Sequence, residues 1–435
     1  LHIIKGGPGT GKSGFMRAIG SEAERRGMDV EYVLCSGDPD SLDGVYIPAL
    51  NEAWVDGTAP HALDPTIFGV TGDYVNLGRF CRTPFSSENQ VTIRRITPAY
   101  KALYAEIIKI AGRAEGRIYV LLDEIQEVNA WEQVINSLRV DLDCDIYVTG
   151  SNAKLLSGEL ATLLAGRYVE IQVYPLDFDE YLAFAAENED EAKLSKQEQF
   201  ANFLRFGGLP GIHQLKWDED RVMQYLHDIY NSVLLKDVIA RNRIRDTALL
   251  ESIVLYLMDN IGNTFSAKTI SDFLKSQGRK LSTETVYNYL KALESAFLIH
   301  KVVRFDIKGK RILETQEKYY LSDLGLRHAV IGYRDNDIAG VLENTVFLEL
   351  LRRGFSVNIG KQDVAEVDFV ANRADDRLYI QVCYILTPEN TDREFAPLEA
   401  ISDNYEKLVL STDTLLRVNR GGIRQKNIID FLLEH

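Results

Sequence analysis

A glycine-rich run close to the first residue constrains the fold of this chain more than any other feature. It reads Gly6-Gly7-Pro8-Gly9-Thr10-Gly11-Lys12-Ser13 and fits the pattern G-x-x-x-x-G-K-[ST]. An apolar strand pattern precedes the run, and a helical pattern follows it as far as Gly27. A glycine-rich loop between a strand and a helix directs several backbone N–H groups at one anion. The run therefore predicts a phosphate-binding loop in an α/β fold with a parallel sheet.

The polar side chains at the end of this loop have separate predicted roles. Lys12 would reach the β- and γ-phosphates of ATP, and the hydroxyl of Ser13 would hold Mg²⁺. The backbone from Gly6 to Ser13 would surround the phosphates. ATP and Mg²⁺ are therefore the expected cofactors.

A second strand pattern ends in two adjacent carboxylates. The strand 118–122 is apolar throughout, which is typical of a parallel strand covered on both faces, and Asp123 and Glu124 follow it. Ligands of α/β sheets bind at the carboxyl ends of the strands. We therefore predict that Asp123 binds Mg²⁺ and that Glu124 orients and deprotonates the attacking water. Asp56, which ends a short strand pattern at 53–56, is the alternative metal ligand.

Three further polar residues are candidates for contact with the transferred phosphoryl group. Ser151 and Asn152 follow a predicted strand at 145–149, and a turn or a helix cap is the alternative role for either one. Arg167 precedes a predicted strand at 169–173. Its guanidinium could stabilise the transferring group in cis or from a neighbouring subunit, and an ordinary surface arginine is the alternative.

Length and composition set the domain organisation. A chain of 435 residues is too long for one hydrophobic core. We predict a nucleotide domain at 1–175 with an insertion-like stretch at 36–90, a helical lid or connector at 176–247, a winged helix at 248–334 and a further α/β domain at 335–435. Because a central strand normally has chain before it, we also expect either residues upstream of Leu1 or an unusual start.

Charge and cysteine content favour a cytoplasmic protein. The net charge of −15 argues against a protein that coats nucleic acid non-specifically. The sequence has no apolar run long enough for a membrane helix and nothing that resembles a signal peptide. Its four cysteines are scattered, which favours free thiols in a reducing compartment.

The predicted winged helix carries a local basic patch. Residues 262–318 contain 11 Lys and Arg against 6 Asp and Glu, a balance of +5. The basic residues near the wing are Arg304, Lys308, Lys310 and Arg311. Such a patch predicts phosphate contacts with DNA, although winged helices also bind proteins. The mixed charges at 236–245 are interpreted as a solvated helix end.

Several motifs together resemble one known group of proteins. They are Leu121–Gln126, Tyr147–Asn152, Gly166-Arg167, Val173–Leu176 and Gly207–Pro210. These runs resemble those of prokaryotic AAA-superfamily P-loop ATPases that carry a C-terminal domain of unknown function with a restriction-endonuclease-like fold. The resemblance spans residues 91–435 and implies an AAA-type ATPase core, a winged helix and a nuclease-like domain. Residues 1–85 look like a different P-loop family, so the chain is interpreted as a fusion of two nucleotide-binding proteins.

The nuclease-like domain has an incomplete active-site pattern. A restriction-type nuclease needs acids on adjacent elements to hold metal and a lysine to position water. Glu343 and Asp368 fit the acids, but Gln381-Val382-Cys383 stands where the pattern ends in (D/E)-x-K. We therefore expect the fold without nuclease activity, although Lys361 or Lys407 could replace the lysine in space.

Three functions from different classes follow from these features. The first is a Mg²⁺-dependent ATPase whose nucleotide state moves modules that bind DNA or a protein, with a homo-oligomer possible. The second is a nucleotide-gated binding scaffold without significant hydrolysis. The third is a metal-dependent nuclease.

Overall fold

The computed structural model describes most of the chain in separate stretches. The described residues are 2–5, 12–34, 42–50, 52–56, 73–76, 90–92, 100–112, 116–125, 128–150, 168–188, 190–215, 218–279, 281–362, 365–414 and 418–434. The chain divides into two compact units, Leu1–Gln90 and Val91–His435. This boundary falls inside the predicted nucleotide domain at 1–175.

The first unit is built on one mixed sheet. Its elements are β1 (His2–Lys5), α1 (Lys12–Arg25), β2 (Glu31–Leu34), β3 (Leu42–Ile47), β4 (Glu52–Asp56) and β5 (Asp73–Asn76). The strand order is β2-β3-β4-β1-β5. Strand β1 pairs in parallel with β4 and β5, whereas β3 pairs antiparallel with β2 and β4.

Two sequence predictions for this unit have different outcomes. The predicted strand before the glycine-rich run and the predicted helix after it are confirmed, and the chain turns after α1 at Gly27, whose φ is 78°. The described parts of 36–90 differ from the predicted surface insertion, because β3, β4 and β5 are strands of the sheet itself. The apolar alternation at Val45 and Ile47 accounts for this difference: both are buried, and Val45 clusters with Met16 of α1.

The second unit begins with a small α/β layer. Its elements are β6 (Gln90–Thr92), α2 (Tyr100–Ala111), β7 (Ile118–Leu122), α3 (Trp131–Asp141) and β8 (Cys144–Val148). The sheet order is β6-β7-β8, and β7 and β8 are parallel. Helices α2 and α3 bury one face of the sheet through residues that include Leu103, Ile107 and Val134.

The prediction that β7 is covered on both faces is wrong for the part of the chain that the structure describes. Val120 and Leu122 are buried, whereas Tyr119 and Leu121 are 41% and 46% exposed. Alternate side chains of a strand point to opposite faces, and both packing helices cluster with the buried set.

The predicted strand at 169–173 is also wrong. Residues 168–174 form no strand in the described structure. Val169, Ile171 and Val173 are 88%, 75% and 84% exposed, so this apolar alternation has no packing partner among the described residues.

The connector is helical, as predicted. It contains α4 (Phe178–Ala186), α5 (Lys196–Phe206), α6 (Glu219–Val233) and a π-helical segment (Leu234–Ala240). Asp177 and Ser195 begin α4 and α5 with capping boxes, in which each accepts a hydrogen bond from a backbone N–H of the first turn.

The Gly207-Gly208 pair lies where the connector approaches Leu176 and Asp323 closely. Gly207 has a φ of 76°, and a side chain on Gly208 would place its Cβ 2.3 Å from the carbonyl oxygen of Leu176. Asp323 accepts a hydrogen bond from the N–H of Gly208 at 2.8 Å. Small residues are therefore required where these segments approach one another.

Three helices and a hairpin follow. They are α7 (Thr247–Asp259), α8 (Ala267–Ser276), α9 (Thr283–Ser295), β9 (Ile299–Asp306) and β10 (Arg311–Leu321). Ser266 and Ser282 are the N-caps of α8 and α9. Strand β9 also pairs in parallel with a strand of the C-terminal domain.

The remaining elements complete a sheet that crosses the predicted boundary at residue 334. They are α10 (Leu324–Ile331), α11 (Ile338–Arg352), β11 (Ser356–Gln362), β12 (Ala365–Arg373), β13 (Asp376–Val382), α12 (Thr391–Glu399), β14 (Glu406–Ser411), β15 (Asn419–Arg420), β16 (Ile423–Asn427) and α13 (Ile428–Leu432). The sheet order is β10-β9-β11-β12-β13-β14-β16-β15. Helix α11 contributes Val346, Phe347 and Leu350 to the largest core of the unit.

Within the described stretches, every helix is too short or too polar to cross a membrane.

Candidate functional site

The carboxyl end of β7 carries the two predicted catalytic acids. Asp123 is exposed, and its carboxylate accepts a hydrogen bond from the hydroxyl of Thr149, which follows the neighbouring strand β8. The same hydroxyl accepts the N–H of Glu124 at 3.3 Å. Glu124 has a φ of 50°, a left-handed conformation that is uncommon outside glycine. Thr149 thus fixes both acids at the end of the sheet.

An arginine from the connector completes this cluster. Nη2 of Arg241 lies 3.4 Å from Oε2 of Glu124, and Nη1 lies 2.7 Å from Oδ1 of Asp237. The Arg241 side chain is 24% exposed. The prediction that 236–245 forms a solvated helix end is therefore wrong for Arg241 and Asp237. The sequence carried no signal for this contact, because Glu124 and Arg241 are 117 residues apart.

Many predicted nucleotide-site residues lie outside the described residues. These are Gly6, Gly7, Pro8, Gly9, Thr10, Gly11, Ser151, Asn152 and Arg167. Lys12 and Ser13 are the first residues of α1, but the structure describes only their backbone. Their roles stay predictions.

The alternative metal ligand has a better strand context than the sequence suggested. Asp56 is the last residue of β4, and its Cα pairs with that of Ile4 in the parallel strand β1, which leads to the phosphate loop. Strand β7, with Asp123, belongs to the other sheet. The partnership of Lys12 with Asp123 therefore stays a prediction, and so does the partnership of Lys12 with Asp56.

A second polar cluster lies in the C-terminal domain around Lys318. Its Nζ atom lies 2.7 Å from Glu343, 2.8 Å from Glu366 and 3.8 Å from Asp368, and the side chain is only 2% exposed. Burial alone would lower the pKa of Lys318, but the three carboxylates raise it above the ordinary value. Tyr320 also donates its hydroxyl hydrogen to Glu343.

The triplet Gln381-Val382-Cys383, which departs from the nuclease pattern, also contacts this cluster. Gln381 accepts the N–H of Asp368 through Oε1 at 3.4 Å and donates to Glu394 at the same distance. Asp368 accepts the N–H of Val382 at 2.8 Å. Burial and the charge of Glu343 raise the pKa of Asp368 to about 8, against the opposing effect of Lys318.

The cluster opens into a cleft of about 580 Å³. Glu343, Glu366, Asp368, Gln381 and Glu394 are among its lining residues. In the described part of the chain, no group of three or more His, Cys, Asp or Glu side chains could hold a metal ion. The ammonium of Lys318 is the cation beside Glu343, Glu366 and Asp368, and Nε of Arg393 donates to Glu394 at 2.9 Å.

Sequence analysis missed Lys318. It named Lys361 and Lys407 as replacements for the nuclease lysine, but Lys407 donates to the carbonyl oxygens of Ile401 and Asp403, and Lys361 lies in β11. The sequence offered little to mark this residue, because Lys318 follows Gln316 and Glu317 in the polar part of β10 and only the fold shows that it is buried.

The chain has close relatives among known proteins. An uncharacterized protein of Haemophilus influenzae is 42% identical over 321 residues, which are 74% of this chain and 79% of that protein. This chain belongs to the same family. The uncharacterized protein MJ1544 of Methanocaldococcus jannaschii, another similar protein, is 35% identical over 308 residues, which are 68% of each chain.

Two family models match separate parts of this family member. An AAA domain matches residues 80–182, and a domain of unknown function (DUF8612) matches residues 197–337. The AAA match includes Asp123 and Glu124 and begins after the phosphate-loop motif. The AAA domain supports nucleotide binding and hydrolysis as the function class. Among solved structures, the Walker-type ATPase PABY2304 of Pyrococcus abyssi is 17% identical and covers 53% of this chain and 67% of its own, with a TM-score of 0.36.

Proposed function

We propose that this protein binds and hydrolyses ATP with Mg²⁺ and that its nucleotide state moves the connector and the C-terminal modules. The observation that carries the proposal is the pair Asp123 and Glu124 at the carboxyl end of β7, a parallel strand within the AAA domain. The phosphate-loop sequence at 6–13 is a second feature that supports the proposal.

The proposed residues fit the chemistry of phosphoryl transfer to water. Backbone N–H groups of the loop and Lys12 bind the phosphates, and Glu124 accepts a proton as the water oxygen bonds to the γ-phosphorus and the bond to ADP breaks. Mg²⁺ in such sites takes one or two protein oxygens and the substrate phosphates, so a complete cage of acids is not required. The exposed carboxylate of Asp123 and the hydroxyl of Ser13 fit this need, and Mg²⁺ would supply charge neutralisation.

Substitutions at the two metal-ligand candidates test the proposed site. Lys12→Ala should abolish nucleotide binding. If Asp123 holds the metal, Asp123→Asn should remove Mg²⁺-dependent turnover while Asp56→Asn keeps it. Loss of turnover only in Asp56→Asn would assign the metal to Asp56, and a Lys12→Ala protein that still binds ATP would contradict the phosphate-loop assignment.

A nucleotide-gated scaffold is the second candidate function. It is favoured by one observation: β1 and β7 belong to different sheets. If the loop and Glu124 do not meet, ATP could still bind at the loop without being hydrolysed. Micromolar ATP binding with turnover at background would support the scaffold, whereas turnover lost in Glu124→Gln would exclude it.

We further propose that residues 248–334 form a winged helix that contacts DNA phosphates. The order of α7, α8 and α9 followed by the β9–β10 hairpin supports this fold. Lys308 and Lys310 are exposed in the turn between the two strands, and Arg311 begins β10. A protein partner is the alternative.

For residues 335–435, we propose a restriction-endonuclease-like fold that lacks nuclease activity. Helix α11, the antiparallel strands β11–β13, helix α12 and the parallel strand β14 support the fold. The Gln381 amide and the engagement of the acids by Lys318 support inactivity. Plasmid DNA should remain intact with Mg²⁺ or Mn²⁺. Cleavage that is lost in Asp368→Ala would overturn this proposal.

A further inference from the structure

The contact between Glu124 and Arg241 joins two parts of the chain that the AAA domain match and the unknown-function domain match assign separately. Glu124 lies at the end of the AAA sheet, and Arg241 lies at the end of the π-helical segment Leu234–Ala240. π-Helical turns are rare and occur frequently at functional sites. This one places a guanidinium on the predicted general base.

The arginine is held from both sides. Asp237 pairs with the other nitrogen of the guanidinium at 2.7 Å, one helical turn before Arg241. Asn242 donates its side-chain N–H to the carbonyl oxygen of Val238 at 2.9 Å. Leu234 and Val238 are buried in the core that also contains Leu249 and Leu290 of α7 and α9. Arg241 is therefore anchored to the helices that precede the β9–β10 hairpin.

We propose that the Arg241–Glu124 ion pair restrains ATP hydrolysis until the connector moves. This inference rests on the proposed ATPase function. A general base must lie within hydrogen-bond reach of the proton that it abstracts. A Glu124 oxygen that accepts from Arg241 is directed at the connector and is not available to the attacking water. When Arg241 moves away, Glu124 is free to accept the proton. The same displacement of the π-helical segment shifts Leu234 and Val238, which pack in the core shared with α7 and α9.

Four full-length proteins test the restraint: wild type, Arg241→Ala, Glu124→Gln and the double variant. In single-turnover hydrolysis, Arg241→Ala should be about threefold faster or more than wild type, the scale of one partly exposed ion pair, with ATP affinity unchanged. In the Glu124→Gln background, Arg241→Ala should have no effect, because the arginine acts through that carboxylate. The exposed neighbour Arg245, changed to Ala, is the matched control and should behave as wild type.

Hydrogen exchange gives a readout that does not depend on turnover. Binding of Mg²⁺-ATP should speed amide exchange at residues 234–242 in the wild type, and Arg241→Ala should show the faster exchange without nucleotide. Turnover that is equal or slower in Arg241→Ala, or exchange that does not respond, overturns the restraint and leaves the ATPase proposal intact. Absence of turnover in the wild type overturns the ATPase proposal and the restraint together.

Discussion

The Nζ atom of Lys318 lies 2.7 Å from Oε1 of Glu343, and this buried ion pair fastens helix α11 to strand β10. Glu366 and Asp368 of β12 extend the pair into a network around one ammonium. A buried ion-pair network of this kind adds little net stability to the folded protein, because its charges lose their hydration. Removal of one charged partner is nevertheless strongly destabilising. Removal of one member of the network would therefore leave its buried partners without a compensating charge.

Removal of the ammonium should destabilise the domain strongly. Lys318→Met leaves up to three partly buried carboxylates without their cation, and we expect a loss of about 3–5 kcal/mol in the free energy of unfolding. Urea unfolding measures it. Lys275→Met is the control, because the Lys275–Asp272 pair at 3.9 Å is on the surface and should contribute at most about 1 kcal/mol. Equal stability of the two variants would show that the network does not hold the domain.

The close approach at Gly208 predicts a second stability effect. A Cβ at this position would lie 2.3 Å from the Leu176 carbonyl oxygen, so Gly208→Ala must displace backbone and should cost about 2 kcal/mol or more. Gly278→Ala is the control: its φ is 86°, but nothing lies within 4 Å of the added Cβ. That variant should lose only about 1–2 kcal/mol of left-handed strain. Thermal unfolding distinguishes the two variants. A Gly208→Ala protein that is more stable than the Gly278→Ala protein would contradict the packing argument.

Buried His328 predicts a pH-dependent stability. Burial and the neighbouring Arg327 guanidinium lower the pKa of His328 to about 4, whereas an unfolded histidine has a pKa of about 6.5. The unfolded chain therefore binds a proton first as pH falls. This contribution to stability is fully present above about pH 6.5 and is lost as pH falls toward 4, by up to about 3 kcal/mol.

Comparison with a variant isolates this histidine. The stability of His328→Gln, measured by urea unfolding between pH 7 and pH 4.5, should fall less than that of the wild type. Parallel curves for the two proteins would mean that His328 does not titrate differently in the folded and unfolded chain.

The hairpin turn between β9 and β10 predicts salt-dependent DNA binding. If Lys308 and Lys310 each contact one phosphate, the double change to Ala should reduce the slope of log affinity against log salt by about 1.8. Fluorescence anisotropy with a labelled DNA duplex, at salt concentrations from about 50 to about 200 mM, measures this slope. A flat salt response in the wild type would favour a protein partner.

Local patterns account for the elements that the sequence predicted well. The strands β1 and β7 follow from short apolar runs, and α1 follows from the helical pattern after the glycine-rich run. These signals lie within a few residues of the structure that they determine.

Contacts across long separations account for what the sequence could not provide. Glu343 is 25 residues from Lys318, and Glu124 is 117 residues from Arg241. Neither pair has a spacing that marks it in the sequence, because the fold alone brings these side chains together. The exposed face of β7 has the same origin: the apolar run specified a strand, but the positions of α2 and α3 decided which face is covered.

Turnover of Mg²⁺-ATP by the full chain and by Glu124→Gln tests the central claim most directly. We predict that the wild type hydrolyses ATP and that Glu124→Gln still binds ATP but hydrolyses it at least ~10²-fold more slowly, the usual contribution of a general base. Equal turnover in the two proteins would contradict the assignment of Glu124, and turnover at background in the wild type would contradict the ATPase account as a whole.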